Sequence, residues 1–262
     1  MSSGYVQSVG LIAPGLSSWR SGVAVLRGIS PYVRADISTA QPASLPPNER
    51  RRAPLGVRMA LLAADEAIAG SALGASMLAS VFATSEADMD ILHRICAALV
   101  EPERGVSPTD FHNSVHNAAS GYWSIAATAR GPSTTIAAYD FCFAVALREA
   151  LGMLAVDDTD TLLVLYDVPP PPPLYDKRPI EQPAAVALVL GREHTPGALA
   201  RLTLCAAETE QRMDEPGLEA LRRANPAARA LPLLQSLAAQ RAGVIGVYEY
   251  DDRLLGIRVE LP

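Results

Sequence analysis

Hydrophobic positions along this chain follow two periods. Tyr5 to Ile12 reads as a strand stopped by Pro14-Gly15, and Ser17 to Leu26 as a short helix capped by Ser17 or Ser18. Gly28 to Arg52 is rich in Pro and Ser without periodicity and is expected to be loop. Pro54 to Ala69 sets Leu55, Met59, Leu62, Ala63 and Ile68 against Arg58, Asp65 and Glu66, the pattern of an amphipathic helix. Ala79 to Ala83, within the apolar run Met77 to Ala83, predicts a strand buried on both faces. Glu86 to Val100 follows as a helix with Ser85 as its N-cap.

After the polar loop Ser107 to Asn117 come a small-residue helix, Ala118 to Ala129, and a strand, Thr134 to Tyr139. Asp140 to Ala155 is helical and apolar on nearly every side, which places it centrally. Thr161 to Tyr166, Ala184 to Leu190 and Arg201 to Ala207 read as strands, and the prolines Pro169 to Pro173 make the first connection a stiff extended loop. A helical stretch, Glu215 to Gly243, broken near Pro226 and Pro232, leads to a hairpin, Val244 to Glu249 and Leu254 to Leu261, turning at Tyr250 to Arg253. Alternating strand and helix predict an α/β fold with a mixed sheet and helices on both faces. No linker interrupts residues 1 to 262, so one domain is expected.

Composition narrows the function. The 262 residues are 49% hydrophobic and 19% charged, against about 25% charged in an ordinary soluble domain, so much apolar surface must be buried internally or by a partner. With 22 Lys+Arg against 28 Asp+Glu there is no basic footprint for nucleic acid. No apolar run is long enough to span a bilayer, and Met1 to Gly10 lacks a basic segment followed by an apolar core. A cytoplasmic location is expected. Cys96, Cys142 and Cys205 form neither a disulfide framework nor a zinc pattern, and read as reduced thiols.

Motifs for common chemistries are missing. The sequence holds no glycine-rich phosphate loop and no G-x-S-x-G nucleophile elbow, and no cofactor is expected. His112 and His116 would share one face of a helix, but lack a third metal ligand; a hydrogen-bonded polar loop is the simpler reading. Cys142 stands at the start of a helix after a strand, where a helix N-terminus lowers a thiol's pKa, so it is the candidate nucleophile. His112 or His116 would then be its base.

The segment GPSTTIAAYDFCFAVALREAL, residues 131 to 151, resembles the β-ketoacyl synthases of the thiolase superfamily, in which a Gly-Pro-Ser turn leads through a strand to a nucleophilic cysteine on a buried helix. YVQSVGLIAPG, NAASGYWSIA and RPIEQPAAVALVLGRE resemble other parts of the N-terminal half of that fold in the same order, over roughly residues 5 to 207. The resemblance implies a thiolase-like half fold, with a mixed five-stranded sheet and a buried helix after the third strand. Residues 208 to 262 would be a divergent helical segment plus hairpin.

Two departures shape the functional expectation. Seven residues after Ser133, where the family has its cysteine, this chain has Asp140, a poor acyl acceptor suited to capping its helix or ending a tunnel. Cys142, about 200° further round that helix, would face packing. The two catalytic histidines of the family belong to a C-terminal half that this chain does not match, and His194 in REHTPGA is expected on a surface turn. The chain is similar to inactive chain length factors of aryl polyene or xanthomonadin-type pathways. That similarity implies a ketosynthase partner, an acyl carrier protein reached through the complex, and an interface along the strand before Asp140. Thr134, Thr135, Ile136, Tyr139 and Asp140 are the interface or tunnel residues on this reading, with Phe111, His112, Tyr122 and Trp123 either beside them or simply packing. Two alternatives stand: an acyltransferase or condensing enzyme using Cys142, and a stand-alone acyl-binding scaffold.

Overall fold

The computed structural model describes residues 2–37 and 41–262; residues 38–40 of the expected loop lie outside the described residues. The chain runs β1 (Ser3–Ile12), α1 (Trp19–Leu26), α2 (Pro47–Arg52), α3 (Leu55–Ala69), β2 (Ala79–Ala83), α4 (Met89–Val100), α5 (Pro108–Asn113), α6 (Ala118–Ala127) and β3 (Ser133–Ile136). It continues through α7 (Cys142–Val156), β4 (Thr161–Asp167), β5 (Ala184–Gly191), β6 (Ala200–Ala206), α8 (Pro216–Ala224), α9 (Leu231–Ala238), β7 (Gly243–Tyr250) and β8 (Arg253–Glu260). Short 3-10 turns precede α7 at Tyr139–Phe141 and α9 at Ala227–Ala230.

All eight strands join one mixed sheet in the order β3-β2-β4-β5-β1-β6-β8-β7. The expected five-stranded sheet is therefore too small. The first five strands form as anticipated, but β6 pairs antiparallel with the start of β1, and the C-terminal hairpin docks on β6 through β8. β2 is parallel to both β3 and β4, whereas β5 is antiparallel to β4 and β1.

Successive strand residues point to opposite faces, and the two faces have different covers. Val81, Ala83, Leu163, Leu165, Val186 and Leu188 pack with α7, while Phe82, Leu162, Val164, Ala185, Ala187 and Val189 pack with α3 and α6. α3 lies so close to β1 that a Cβ on Gly10 would sit 1.9 Å from the Ala63 carbonyl oxygen, which only glycine permits. The helix after the third strand is α7, and nine of its residues are buried. Its outer side is covered by the C-terminal segment: Leu218, Leu221, Leu231, Leu233, Leu234 and Leu237 share one core with Leu147, Leu151 and Leu154.

Local differences from the sequence expectation have local causes. The expected loops Gly28 to Arg52 and Ser107 to Asn117 each contain a six-residue helix with proline at its start, α2 and α5, too short to show a period. α4 starts at Met89 because the Asp88 carboxylate accepts from the Ile91 N–H at 3.0 Å; Ser85 is not its cap. β3 ends at Ile136 and α7 begins at Cys142, so the turn between them is longer than expected.

If the C-terminal segment is part of the core, Leu234→Ala should cost about 2–5 kcal/mol, the ordinary penalty for a fully buried leucine. Urea unfolding monitored by far-UV and near-UV dichroism should show this within a single shared transition. Separate transitions for the two probes would mean that the segment folds independently.

Candidate functional site

The sheet brings the ends of β2, β3 and β4 to one side, where the turn into α7 forms. Tyr139 takes a left-handed backbone there, with φ 52°, and its half-exposed ring lies beneath the Arg178 guanidinium, whose central carbon is 3.6 Å from the ring centroid. Arg178 is 8% exposed and holds two carboxylates: its Nη1 is 2.8 Å from Asp140 Oδ1 and its Nε 2.7 Å from Glu86 Oε1. Asp140 thus spends its charge on an ion pair. It is not the helix cap that was expected: the residue preceding α7 is Phe141, and no side chain caps the helix. The three-residue 3-10 turn between β3 and α7 displaces Asp140 from the capping position.

Behind this turn lie two buried acidic groups. The Cys142 sulfur accepts a hydrogen bond from the Ala138 N–H and donates one to the Tyr139 carbonyl, both at 3.2 Å. Burial, with the nearby Asp167 charge adding to it, pushes the Cys142 thiol up to about 12. The favourable helix N-terminus is outweighed, so the thiolate that acyl transfer needs is suppressed. Asp167, at the end of β4, is 3% exposed. Its Oδ1 accepts from Thr84 Oγ1 at 3.0 Å, the Ser85 N–H at 2.8 Å and Ser85 Oγ at 2.7 Å, while its Oδ2 is buried without a partner among the described residues. Burial outweighs these donors and raises Asp167 to about 6. Ser85, the expected helix cap, is thus a donor to this carboxylate.

The outer wall comes from the C-terminal segment. Asp140 shares a cavity of about 10 Å³ with Phe143, Glu210, Arg222, Arg229, Val247 and Tyr248. That is room for about one water and none for an acyl chain. Arg222, 4% exposed, is held by both oxygens of Glu219 at 2.7 and 2.8 Å and by Glu210 at 2.8 Å, so the wall is cross-linked by ion pairs. Phe141 also meets Tyr250, ring to ring at 6.3 Å, and Arg148 pairs with Glu249.

Residues 29–248 match the family model described as the beta-ketoacyl synthase N-terminal domain. The chain belongs to the β-ketoacyl synthase family. No curated protein matches it. Among solved structures it is similar to the ketosynthase ApeO in complex with its chain length factor ApeC from Xenorhabdus doucetiae, with 22% identity, TM-score 0.72, and coverage of 98% of this chain and 99% of that one. It is similar also to the ishigamide ketosynthase/chain length factor, with 13% identity, TM-score 0.75 and 99% of each chain covered. A third is the apo AntDE:AntF complex, a type II polyketide synthase acyl carrier protein with its ketosynthase bound to the hexaketide: 12% identity, TM-score 0.78, 100% of this chain and 99% of that one. These likenesses establish the fold. The likeness extends over 98–100% of this chain, so all eight strands belong to a thiolase-like fold.

Within this ketosynthase-family fold the other candidate residues separate into two groups. Thr134, Thr135 and Ile136 lie on β3, at an edge of the sheet, and Tyr139 follows them half-exposed. Phe111, at the end of α5, is 71% exposed, and His112 beside it meets the Tyr122 ring edge-on at 6.2 Å. Tyr122 and Trp123 are each 2% exposed and belong to the α3 side of the core. The Tyr122 hydroxyl donates to Asn113 Oδ1 at 3.0 Å, and Asn113 Nδ2 to the Arg52 carbonyl at 3.0 Å, which ties α6 to α5 and α2. His112 and His116 do not share a helical face, because α5 ends at Asn113 and His116 falls in the turn before α6. His194 is exposed at the β5–β6 turn against Tyr5. No histidine lines the cavity at Asp140. No helix among the described residues is long and apolar enough to cross a membrane.

Sequence reasoning found the turn but missed Arg178, Glu86 and Asp167. Arg178, set among Asp176, Lys177 and Glu181, carries no local signal of burial; Asp167 ends an apolar strand, which marks it as a candidate buried carboxylate.

Two measurements follow. Alkylation at mildly alkaline pH should modify exposed Cys96 in the folded chain and spare Cys142 until unfolding; peptide mass spectrometry that finds folded-state Cys142 adducts would overturn the thiol assignment. The second concerns Asp167, raised from 3.8 to about 6. Between those values the folded state keeps a proton that the unfolded state has released, so this group lowers stability as pH rises through the window, by about 3 kcal/mol. Asp167→Asn keeps the Oδ1 acceptor and has no such proton. The unfolding free energy of the parent minus that of the variant should therefore fall across the window, and a flat difference would contradict the burial argument.

Proposed function

We propose that this chain is a non-catalytic, ketosynthase-like chain length factor, a single domain over residues 1–262, that pairs with a separate active ketosynthase. The observation that carries the reading is the ion pair between Asp140 and Arg178 at the position where the family places its nucleophile. A carboxylate already neutralised by a guanidinium is a weak nucleophile, and acylation by a thioester would give a mixed anhydride more reactive than the donor, an uphill step. The neighbouring thiol is protonated and buried, and the space in front of Asp140 holds about 10 Å³.

What remains is a surface for assembly. The Ser80 N–H donates to the Pro132 carbonyl and the Thr84 N–H to the Ile136 carbonyl, at 2.9 and 3.2 Å. Even-numbered residues of β3 therefore bond to β2, and the main-chain groups of Ser133 and Thr135 point away from the sheet. An open strand edge of this kind invites another strand. Exposed Phe111 and Tyr139 nearby supply apolar area, and on this reading Phe111, His112, Thr134, Thr135, Ile136 and Tyr139 form the partner face, from which the chain shapes the partner's acyl tunnel. Solved relatives that include a ketosynthase with its chain length factor, and an acyl carrier protein with its ketosynthase, support a carrier protein reached through the complex. On the sequence resemblance to aryl polyene-type chain length factors, the products proposed are polyene or fatty-acid-like, made in the cytoplasm.

The test is co-expression with a ketosynthase encoded beside this chain, followed by size-exclusion chromatography with light scattering. A one-to-one pair is expected. Thr135→Pro removes an outward-pointing N–H from an edge strand together with the Thr135 Oγ1 contact to Ser120 Oγ at 3.3 Å, so Thr135→Val is the control for the lost hydroxyl: the proline should abolish the pair, the valine should keep it, and both should retain the dichroism spectrum of this chain. Pairing that survives the proline, or no pairing at all, would contradict the assigned interface.

A further inference from the structure

The helix α4 is set with its apolar side outward. Ile91 is the one buried residue among the twelve described residues of this helix, although Met89, Leu92, Ile95, Leu99 and Val100 are apolar too. Leu92, Cys96, Leu99 and Val100 follow one another at i, i+4, i+7 and i+8 on one face, and all four are exposed, Val100 by 83%. Asp90 and Arg94 are each about 200° round the helix from Leu92. Arg94 is clamped there to α5: its Nε is 3.1 Å from Asp110 Oδ2 and its Nη2 2.7 Å from Asp110 Oδ1. A two-pronged pair of this kind fixes the rotation of the helix, so the stripe cannot turn inward without breaking it. An apolar stripe held toward water is unfavourable and marks an interaction surface.

The occupant follows from what the stripe is tied to. At the open edge of β3, Thr135 Oγ1 meets Ser120 Oγ of α6 at 3.3 Å; the Tyr122 hydroxyl of α6 donates to Asn113 of α5 at 3.0 Å; and Asp110 of α5 holds Arg94. Side-chain contacts thus run without a break from the strand edge to α4. β3 is too small to hold a partner alone, because its four residues span about 13 Å whereas a stable pair buries about 800 Å² on each side. A second copy seated on α4 would leave the strand edge bare. A ketosynthase paired with β3 needs adjoining apolar area, which α5 and α4 supply.

We propose that α4 is the apolar half of the ketosynthase-binding surface, with Leu92, Leu99 and Val100, together with Phe111 of α5, covered by the ketosynthase. The inference rests on the pairing proposed above and assigns the helix that completes it.

Cys96, in the middle of the stripe, is a built-in probe. In the free chain it should react with a water-soluble maleimide before the less exposed Cys205 of β6, and in the purified complex that order should invert, as followed by peptide mass spectrometry. Leu99→Glu, at an exposed position, should keep the fold and weaken the pair about thirtyfold, the loss of a central apolar contact. Ile29→Glu, 66% exposed in the segment after α1, should leave the affinity unchanged. A complex in which Cys96 stays as reactive as in the free chain, or an equal loss of affinity in the two glutamate variants, would overturn the inference while leaving the pairing intact. No complex at all would remove both. A Cys96 disulfide between two copies on mild oxidation, with light scattering at twice the chain mass, would assign the stripe to a second copy and overturn the inference as well.

Discussion

The fold depends on burying a helix that has almost no polar side. α7 hides nine of its residues and exposes Arg148, Glu149 and its last two residues, Ala155 and Val156, so a sheet beneath it is not enough; something must also lie on top. The C-terminal segment does this. α8, α9 and the 3-10 turn between them contribute leucines and alanines to the same core, and β7 curls alongside, pinned by Glu249 to Arg148 and by Tyr250 to Phe141. Each buried leucine on that seam contributes about 2 kcal/mol from area alone, so a truncated chain would leave a wide apolar surface in water.

That solution has a chemical consequence. The elements that cover α7 also wall off its N-terminal turn, where Asp140 sits. Glu210, Arg222 and Arg229 on one side and Arg178 with Glu86 on the other surround Asp140 with fixed charges. On the proposed reading, a site filled with neutralised ion pairs leaves no place for an acyl thioester. Burial raises both acidic groups left nearby, Cys142 to about 12 and Asp167 to about 6. Structural roles account for both, since the thiol closes the turn by hydrogen bonds at each end and Asp167 gathers Thr84 and Ser85 across the strand ends.

How much of this could be read along the chain depends on the range of the interaction. The apolar runs at Ala79–Ala83 and Ala184–Leu190 and the all-round apolar character of 142–156 are local signals, and each produced the expected element. The family resemblance at 131–151 located the turn and the aspartate in it. The sheet's extension from five strands to eight was not legible, because β6 joins β1 across some two hundred residues and no local pattern records that pairing. Arg178 escaped for the same reason: it reaches Asp140 and Glu86 only after the proline-rich connection folds back. The reading of Asp140 as a cap failed on a three-residue 3-10 turn, a shift smaller than helix boundaries can be placed from periodicity.

The central claim is that acyl chemistry, if it occurs in a complex containing this chain, occurs on the partner. The most direct measurement is mass spectrometry of the co-purified complex after brief incubation with an acyl-loaded carrier protein, locating the acyl adduct by peptide. The account predicts an adduct on the partner ketosynthase's cysteine and none on this chain. An acyl group on Cys142 would contradict it.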